Sequence, residues 1–412
     1  MRIAFVHQNF PAQFVHLAPA LARRGHEVLA LTADDHRNRT TVPVARYKWK
    51  PPEFPIAKYG LAATYAEMIH RAHVTAAAAV QLREKHGYIP DVVFGTPGWG
   101  ETLFLKEVWP EARHILYAEF FYSPRGLDVG FDKEFSSGDL SSRILVTARQ
   151  AHLLLALNAS DKLVSPTQWQ AQSFPDYIRD RIEVIHDGID TDRVCPNDAA
   201  IVSLPGLDLE LTIRDEVLTF INRNLEPHRG FHIFMRALPS VLATRPHARA
   251  VIIGGTGRSY SRNPPDGKTW KQIFLEEVGD RLDLKRVHFV GKVPYATFIA
   301  LMQISRVHAY LTYPFVLSWS MLEAMSAGAL VIGSRTPPVE EVIEDGVNGR
   351  LVDFFDIDAW SAALIEALAE PERFAEMRSA ARRTVIERFD LRSKCLPKLL
   401  EFVEKAWPSR TR

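Results

Sequence analysis

Short apolar runs alternate with helical patterns along most of the chain. Near the N-terminus, the apolar run RIAFVH (2–7) is followed by a helical pattern over 12–24, by Gly25 and by a second apolar run, EVLALTA (27–33). A glycine just after the last periodic residue is typical of a helix C-terminus. The order strand, helix, strand predicts a βαβ unit, in which the two strands are parallel.

The same alternation recurs in two series, one in each half of the chain. In the first half, further apolar runs predict strands at 91–95, 114–119, 162–166 and 182–188, with helices at 61–86 and 140–158. In the second half, strands are predicted at 216–223, 248–255, 286–292, 307–313 and 329–334, with helices at 231–244, 359–370 and 371–389. Each series is typical of a doubly wound α/β domain.

The stretch 196–215 has turn-forming residues and no helical period, so it is the best candidate for a linker. We therefore predict an N-terminal Rossmann-like domain over 1–200 and a C-terminal one over 201–390. A helix within 391–412 is expected to pack back on the N-terminal domain. Open parallel sheets bind ligands at the carboxyl ends of their strands, so two such domains predict a shared cleft between them.

Composition narrows the possible partners and compartments. The 412 residues carry 50 basic and 49 acidic side chains, so no overall charge favours nucleic acid. Two cysteines form no metal-binding pattern or disulfide framework. The first apolar run is too short for a signal peptide, and no window approaches the roughly 20 apolar residues that span a bilayer. We expect a soluble, cytoplasmic protein; peripheral contact with the inner face of the cell membrane stays open.

The loop NRNLEPHRG (222–230) carries two arginines, Arg223 and Arg229, between a predicted strand and a predicted helix. Two guanidinium groups beside a helix N-terminus form an anion site that suits phosphate, although a solvated basic loop is an equal alternative. Gly254 and Gly255 end the next strand, where a ligand could approach the backbone closely. The sequence there, GGTG, lacks the GxGxxG spacing of dinucleotide-binding sites.

The stretch PFVLSWSMLEAMSAG (314–328) places Glu323 on a helix behind an unusually apolar loop. A carboxylate in such a position commonly accepts hydrogen bonds from a ribose diol, and a plain surface glutamate is the alternative. The loop residues in front of Glu323 are candidates for the same site: Phe315, Val316, Leu317, Ser318, Trp319 and Ser320.

In the N-terminal half, polar and aromatic residues follow the predicted strands. Aromatic rings beside carboxylates are common where sugars are bound, and equally common as packing residues. The candidate contacts to an acceptor or a sugar are His7, Asn9, Phe10, Trp99 and Glu101. Glu119, at the end of another predicted strand, is a further candidate carboxylate.

Taken together, these elements resemble the family-4 glycosyltransferases, which have the two-domain GT-B fold. Arg223 and Arg229 stand six positions apart, like the Arg and Lys that bind the donor phosphates in that family. LEAMSAG resembles the family's LEAMAxG, so Glu323 corresponds to the second glutamate of a Glu-x7-Glu motif, which holds the ribose hydroxyls. HFVGKVP (288–294) resembles the stretch near the donor base, which implicates Lys292 and Val293.

Other stretches extend the resemblance over nearly the whole chain. SPTQW (165–169) and VIHDGIDTDRVCP (184–196) resemble the segment that leads out of the family's N-terminal domain. The opening HQNFPAQF (7–14) resembles the N-terminus of a bacterial subgroup.

The chain departs from the family at four places, one of which is Thr336-Pro337-Pro338 in place of the usual Gly-Gly stretch. Phe315 stands where the family has the first glutamate of the motif, and Val316-Leu317-Ser318 replaces Gly-Phe-Gly, whose amides hold the transferred sugar. The family's N-terminal-domain histidine has no clear counterpart, and Glu119 occupies roughly its place.

The resemblance implies a retaining glycosyltransferase of the polysaccharide-biosynthesis type. Its donor would be a UDP- or GDP-sugar, which acts as a co-substrate, and its acceptor a glycan, a lipid-linked glycan or a protein. Catalysis is assigned to Arg223, Arg229 and Glu119, with no metal and no cofactor. The alternatives are a nucleotide-sugar epimerase or hydrolase of the same fold, a non-catalytic nucleotide-binding partner subunit, and a nucleotide-cofactor oxidoreductase. The base, the sugar, the acceptor and the oligomeric state stay open.

Overall fold

The structure, a computed structural model, describes residues 1–35, 38–50, 52, 56–204 and 209–407. The chain divides into two compact units. The first comprises Met1–Val129, Gly138–Gly188 and the segment that begins at Leu391, and the second comprises Gly130–Ser137 and Ile189–Asp390. The division after the first series of strands therefore falls at Gly188, not at residue 200, and eight residues from the middle of the N-terminal half belong to the C-terminal unit.

The N-terminal unit is built on one parallel sheet of seven strands, in the order β3-β2-β1-β4-β5-β6-β7. The strands are β1 Arg2–Val6, β2 Glu27–Ala33, β3 Val44–Tyr47, β4 Val92–Gly95, β5 Arg113–Tyr117, β6 Lys162–Ser165 and β7 Ile182–Val184. Its helices before the crossing at Gly188 are α1 Leu17–Arg23, α2 Ala63–His86, α3 Leu105–Val108, α4 Leu140–Arg149, α5 Ala151–Ala159, α6 Gln168–Gln172 and α7 Asp176–Arg179.

The C-terminal unit has a parallel sheet of six strands and a separate antiparallel pair. The pair is β8 Ile201–Ser203 with β9 Glu210–Thr212. The sheet, in the order β12-β11-β10-β13-β14-β15, consists of β10 Val217–Asn224, β11 Arg249–Gly255, β12 Val287–Gly291, β13 Val307–Tyr310, β14 Leu330–Ser334 and β15 Arg350–Val352.

Helices cover this second sheet, and a last helix returns to the first unit. Those of the C-terminal unit are α8 Phe231–Thr244, α9 Trp270–Val278, α10 Tyr295–Ile304, α11 Trp319–Ala327, α12 Pro337–Glu340, α13 Ile357–Ala369 and α14 Ala375–Phe389. The last helix, α15 Leu396–Glu404, packs against α1.

Both sheets are buried on their two faces, as their continuous apolar strands require. Along β1, Ile3 and Phe5 enter one hydrophobic cluster, whereas Ala4 and Val6 enter another. In the C-terminal unit, the residues of β11 alternate in the same way between two clusters. Each unit therefore has its own core on both sides of its sheet, and its polar loops lie at the strand ends.

Several predicted elements differ from the observed ones. The helix expected over 140–158 is two helices that meet at Gln150, and the strand expected over 182–188 ends at Val184. The stretch expected to be a linker contains the β8–β9 pair, although its residues 205–208 lie outside the described residues. Residues 408–412 of the predicted C-terminal segment also lie outside them. In the described part of the chain, no helix combines the length and the apolarity needed to cross a membrane.

Candidate functional site

The loops that follow β10, β11 and β13 meet at one edge of the C-terminal sheet. These strands are parallel neighbours, so their carboxyl ends, Asn224, Gly255 and Tyr310, face the same way. A left-handed glycine, Gly230, begins α8, and a Cβ there would lie 2.2 Å from the Leu311 Cβ. The loop after β10 and the loop after β13 are therefore in direct contact.

Arg229 lies where the loops after β10 and β13 meet. Its side chain is buried, at 7% exposure, and its Nη1 donates hydrogen bonds to Thr312 Oγ1 and to the Val316 carbonyl, both at 2.8 Å. Among the described residues, no carboxylate forms an ion pair with it. A buried charge without a counter-ion is costly, so this arrangement is suited to an anionic ligand.

Arg223 is placed differently. It lies near the end of β10 and is exposed, and its side chain forms no ion pair or hydrogen bond with the residues that the structure describes. The two arginines predicted as a pair therefore differ: Arg229 is buried and held by hydrogen bonds, whereas Arg223 is a long, exposed side chain on the same segment.

The apolar loop before Glu323 turns its large side chains inward. Phe315 and Leu317 are 2% and 6% exposed, and Leu317 belongs to a core cluster. The backbone N–H of Ser318 donates to the Tyr310 hydroxyl at 2.8 Å, and the Ser318 side chain caps the start of α11. The partly buried Trp319 packs against the same cluster, and Ser320 is buried. Phe315 is therefore not available as an exposed contact, and two backbone groups of the loop, the Val316 carbonyl and the Ser318 N–H, are bonded within the unit.

Glu323 lies on the first turns of α11 with its carboxylate already bonded. It is 7% exposed, and its Oε1 accepts a hydrogen bond from the Tyr295 hydroxyl at 2.5 Å. The Arg193 guanidinium lies 4.7 Å from the centre of the Tyr295 ring. Burial raises the pKa of the Glu323 carboxyl, while the Tyr295 hydrogen bond and the Arg193 charge oppose that rise.

The two glycines after β11 have different reasons to be glycine. At Gly254 a Cβ would meet the Leu225 side chain at 2.7 Å, so this position is explained by packing. At Gly255 a Cβ would meet Asn224 Oδ1 at 2.6 Å and Lys292 Cε at 3.4 Å. Lys292 itself is exposed and Val293 is partly buried. The structure thus brings Gly255 and Lys292 together at the strand edge.

Sequence reasoning missed Glu226, which organises the loop after β11. Glu226 is 1% exposed, and its carboxylate accepts hydrogen bonds from the backbone N–H groups of Ser259 (3.2 Å), Tyr260 (3.1 Å) and Ser261 (3.0 Å). Its only local signal is its position just before Pro227. Its partners are more than 30 positions away, so the sequence alone gave no reason to connect them.

His228 is the other residue that sequence analysis passed over. Its ring is buried against Tyr313 and Phe315, with both pairs of ring centres 4.7 Å apart. Burial, together with the adjacent Arg229 charge, holds the pKa of His228 well below its ordinary value. The ring is therefore neutral and adds no second positive charge beside the guanidinium.

The N-terminal candidates divide into buried and accessible residues. Phe10 is a core residue at 3% exposure, and Glu101 is fully buried, with its Oε1 accepting a hydrogen bond from the Tyr47 hydroxyl at 3.0 Å. Burial raises the pKa of Glu101. The side chains of Phe10 and Glu101 therefore serve packing and an internal hydrogen bond, and neither is exposed for the contact with an acceptor or a sugar that the sequence predicts.

Of the other four candidates, Trp99 and Glu119 are exposed, Asn9 is partly buried, and His7 is buried at 6% exposure. His7 Nδ1 accepts a hydrogen bond from the Asn9 backbone N–H at 2.9 Å. Asn9 Oδ1 is buried and has no hydrogen-bond partner within the described structure. Trp99 is 48% exposed, and Glu119 is exposed just after β5. These four residues remain candidates for contact with a ligand of the N-terminal unit.

Asp132, Glu134 and His232 form a cluster whose potential ligand atoms lie within 4.8 Å of one another. Each carboxylate already has donors: Asp132 Oδ2 accepts from the Tyr313 hydroxyl at 2.7 Å and lies 3.1 Å from His232 Nε2, and Glu134 pairs with Arg236 through both oxygens. Although burial alone would raise it, the hydrogen bonds from His232 and Tyr313 hold the pKa of Asp132 below its ordinary value. These hydrogen bonds and ion pairs explain why the three side chains lie close together without a metal ion. Metal independence of the reaction stays a prediction.

Comparison with known sequences identifies glycosyltransferase families in both halves of the chain. The family described as Glycosyl transferase family 4 group matches residues 24–194, and Glycosyl transferases group 1 matches residues 210–384. A D-inositol 3-phosphate glycosyltransferase of Mycobacterium avium (strain 104) is 30% identical over 203 residues, which cover 49% of this chain and 44% of the relative. The enzyme of the same name from Segniliparus rotundus is 25% identical over 225 residues, which cover 53% and 46%. The chain spans slightly less than half the length of these curated relatives.

Solved structures match over nearly the full chain. The crystal structure of Anabaena Alr3699/HepE in complex with UDP has a TM-score of 0.68 and 17% identity, covering 98% of this chain and 100% of that one. Sucrose-phosphate synthase from Thermosynechococcus elongatus has a TM-score of 0.72 and 15% identity, covering 98% of both chains. At these identities the likeness shows a common fold.

Proposed function

The chain belongs to the family-4 glycosyltransferases with the GT-B fold, and on that basis we propose that it transfers a sugar from a nucleoside-diphosphate sugar to an acceptor. A UDP-sugar is the first choice of donor, because the related Anabaena protein has been crystallised with UDP and with UDP-glucose. A GDP-sugar is the second choice.

The observation that carries this proposal is the buried guanidinium of Arg229. Its two hydrogen bonds go to uncharged oxygens of Thr312 and Val316, so its charge is oriented but not neutralised within the unit. A guanidinium binds phosphate oxygens with directed, charge-assisted hydrogen bonds. A diphosphate at this edge of the sheet would supply the missing counter-charge for Arg229. The exposed Arg223, near the end of β10, would bind further oxygens of the same diphosphate.

In the proposed reaction, the bond between the sugar C1 and the diphosphate oxygen breaks, and a bond from C1 to the acceptor oxygen forms on the same face. The acceptor hydroxyl proton passes to the departing phosphate oxygen. Arg229 and Arg223 stabilise the charge that develops on the diphosphate, a role in which preorganised donors are most effective. Because two cations serve this purpose, we propose that the reaction needs no metal ion.

The remaining residues have supporting roles in this proposal. Glu323 accepts hydrogen bonds from the ribose hydroxyls, and Gly255 and Lys292 border the nucleotide. The backbone of Val316, Leu317 and Ser318 faces the sugar. In the N-terminal unit, His7, Asn9, Trp99 and Glu119 are the proposed contacts for the acceptor, which is a glycan, a lipid-linked glycan, a protein or, by analogy with the curated relatives' names, an inositol phosphate.

Calorimetric titration of the intact protein with UDP, GDP, ADP and NAD tests the proposal first. We expect one of the first three to bind and NAD to bind weakly or not at all. Binding of NAD in preference to every nucleoside diphosphate would contradict the proposal and favour an oxidoreductase.

Product analysis with the matching nucleotide-sugar then separates the alternatives of the same fold. A transferase releases nucleoside diphosphate faster when a suitable acceptor is present and yields a glycosylated acceptor. Isomerised nucleotide-sugar would indicate an epimerase, and free sugar at a rate insensitive to acceptors would indicate a hydrolase. Tight nucleotide binding without any turnover would indicate a non-catalytic subunit.

A further inference from the structure

Arg229 lies against two aromatic rings, and we propose that these rings, Tyr260 and Phe315, position its guanidinium to bind the donor diphosphate. The Arg229 Cζ is 5.4 Å from the centre of the Tyr260 ring and 5.3 Å from that of Phe315. The two ring centres are 4.6 Å apart, so the three side chains form one cluster. The inference rests on the proposed function; Tyr260 and Phe315 are called the aromatic pair below.

The aromatic pair orients the charge without cancelling it. A ring face attracts a cation within about 6 Å through its quadrupole. A carboxylate in the same position would form an internal ion pair with Arg229 and would compete with the diphosphate. The groups that contact the guanidinium in this cluster are neutral: the Thr312 hydroxyl, the Val316 carbonyl and the two rings. The charge therefore stays available for a ligand.

Each ring is held from behind by a separate contact. The Tyr260 backbone N–H donates to Glu226 Oε2 at 3.1 Å, which fixes the loop that carries this ring. The Phe315 ring meets the neutral His228 ring edge-on, with centres 4.7 Å apart. His228 itself is fixed at its backbone, because its N–H donates to Ser261 Oγ at 3.1 Å and its carbonyl accepts from the Tyr313 N–H at 3.1 Å.

This arrangement gives a physical role to the departure at position 315. Phe315 replaces a family glutamate, but its ring is 2% exposed and contacts Arg229 and His228, so it acts through the phosphate-binding cation. The exchange of Glu for Phe is paired in this chain with the exchange of Lys for Arg at 229. A flat guanidinium stacks on aromatic faces better than an ammonium group does, so the two exchanges are physically compatible.

The contribution of the diphosphate to binding is the quantity to measure. For each variant, calorimetry gives the dissociation constants of UDP and of uridine. The dissociation constant of uridine divided by that of UDP, called the uridine-to-UDP ratio below, reports the diphosphate contribution. We expect Tyr260→Leu and Phe315→Leu each to lower this ratio roughly tenfold, and uridine affinity to stay unchanged. Tyr260→Phe keeps the ring and is expected to keep the wild-type ratio.

Phe389→Leu is the matched control. Phe389 is also buried and lies beneath a guanidinium, with the Arg388 Cζ 4.9 Å from its ring centre, but it is outside the proposed site. It should lose fold stability like Phe315→Leu and keep the wild-type ratio. If Phe315→Leu fails to fold, Tyr260→Leu alone decides, since Tyr260 is 37% exposed and not part of a core cluster.

A double-mutant cycle shows whether the rings act through Arg229. In an Arg229→Gln background, which already lacks the cation, a further Tyr260→Leu substitution should leave the ratio unchanged. The inference would be overturned if the Tyr260→Leu and Phe315→Leu variants kept the wild-type ratio. It would also be overturned if Tyr260→Leu lowered the ratio as much in the Arg229→Gln background as in the wild type. If Arg229→Gln lowers the diphosphate contribution but the substitutions of Tyr260 and Phe315 do not, only this inference fails. If it binds neither UDP nor another nucleoside diphosphate, the proposed function fails with it.

Discussion

Glu323 shows how a single residue of the site is prepared for its ligand. Its carboxylate is buried, the Tyr295 hydroxyl donates a hydrogen bond to one oxygen, and the Arg193 guanidinium lies 4.7 Å from the centre of the Tyr295 ring. Burial raises the pKa of Glu323, and these two contacts oppose the rise. The ionised carboxylate accepts hydrogen bonds from the hydroxyls of a ribose more strongly than the protonated form does. Nucleotide affinity should therefore fall as the pH decreases through the raised pKa.

Tyr295→Phe tests this role of Glu323. Without the phenol, one contact that lowers the pKa of Glu323 is lost, so the loss of UDP affinity on acidification should begin at a higher pH than in the wild type. At neutral pH we expect a several-fold weaker UDP complex, in line with one hydrogen bond to a charged group. Calorimetry between pH 5 and 8 measures both effects.

A second nucleotide serves as the control for Tyr295→Phe. With 2′-deoxy-UDP, which lacks one ribose hydroxyl, the difference between variant and wild type should shrink. An identical pH profile for the two proteins, or an equal loss with both nucleotides, would show that Glu323 does not read the ribose.

At the scale of elements, the loop between β11 and α9 is held by one side chain from another loop. Glu226 accepts hydrogen bonds from the backbone N–H groups of three successive residues, 259–261. These N–H groups belong to no helix or strand, so the carboxylate supplies the acceptor that regular secondary structure would provide. The same contacts determine where Tyr260 lies relative to Arg229. Stability of this loop and affinity for diphosphate are therefore expected to change together.

Glu226→Gln should lower the free energy of unfolding of the C-terminal unit by about 1–3 kcal/mol, because the neutral amide is a weaker acceptor and turns an N–H₂ toward backbone donors. Urea unfolding measures this change, and the uridine-to-UDP ratio of dissociation constants should fall in parallel. Glu277→Gln, which removes a partly exposed ion pair with Arg236, should change stability by less than about 1 kcal/mol. Equal stabilities of the two variants would contradict the role of Glu226.

The sequence predicts regular elements well where their pattern is local. The helix α8 has the predicted bounds, 231–244, because Gly230 marks its start and an apolar period runs through it. The strands of both sheets lie near the apolar runs, since burial on two faces makes those runs continuous. By contrast, no local period indicates the β8–β9 pair, and the helix break at Gln150 has no proline or glycine to signal it.

The site could be predicted only in part, for the same reason. Arg229 and Glu323 lie in recognisable stretches, whereas Glu226, Tyr260 and His228 depend on contacts between loops distant in sequence. The sequence predicts Glu101 as a contact to an acceptor or a sugar, because it does not show that Glu101 is buried and bonded to Tyr47 from a separate strand.

At the scale of the whole molecule, both units contain buried histidines. Burial lowers the pKa of His114 and His186 in the N-terminal unit, and of His308 in the C-terminal unit, to about 4 in each case. Their unfolded value is about 6.5, so between these values the unfolded chain binds more protons than the folded one. The resulting stability is fully present above about pH 6.5 and is lost as the pH falls toward 4.

Acidification from pH 7 to pH 5 should therefore lower stability by up to about 2 kcal/mol for each of these histidines. Urea unfolding at the two pH values measures the loss. His308→Gln should reduce the pH dependence of the C-terminal unit, whereas His247→Gln, at an exposed position, should not. A loss of equal size in His308→Gln and wild type would show that burial of His308 does not cause it.

The central claim is that the buried cation at position 229 binds and stabilises the departing diphosphate of a nucleotide-sugar. The most direct measurement is kcat/KM for UDP release from the UDP-sugar, compared among wild type, Arg229→Lys and Arg229→Gln. Arg245→Gln, which removes an arginine already paired with Glu216, is the control. We predict that the Gln variant loses at least about 100-fold, that the Lys variant keeps more activity than Gln, and that the control stays near wild type. Turnover by folded Arg229→Gln within about threefold of wild type would contradict the account.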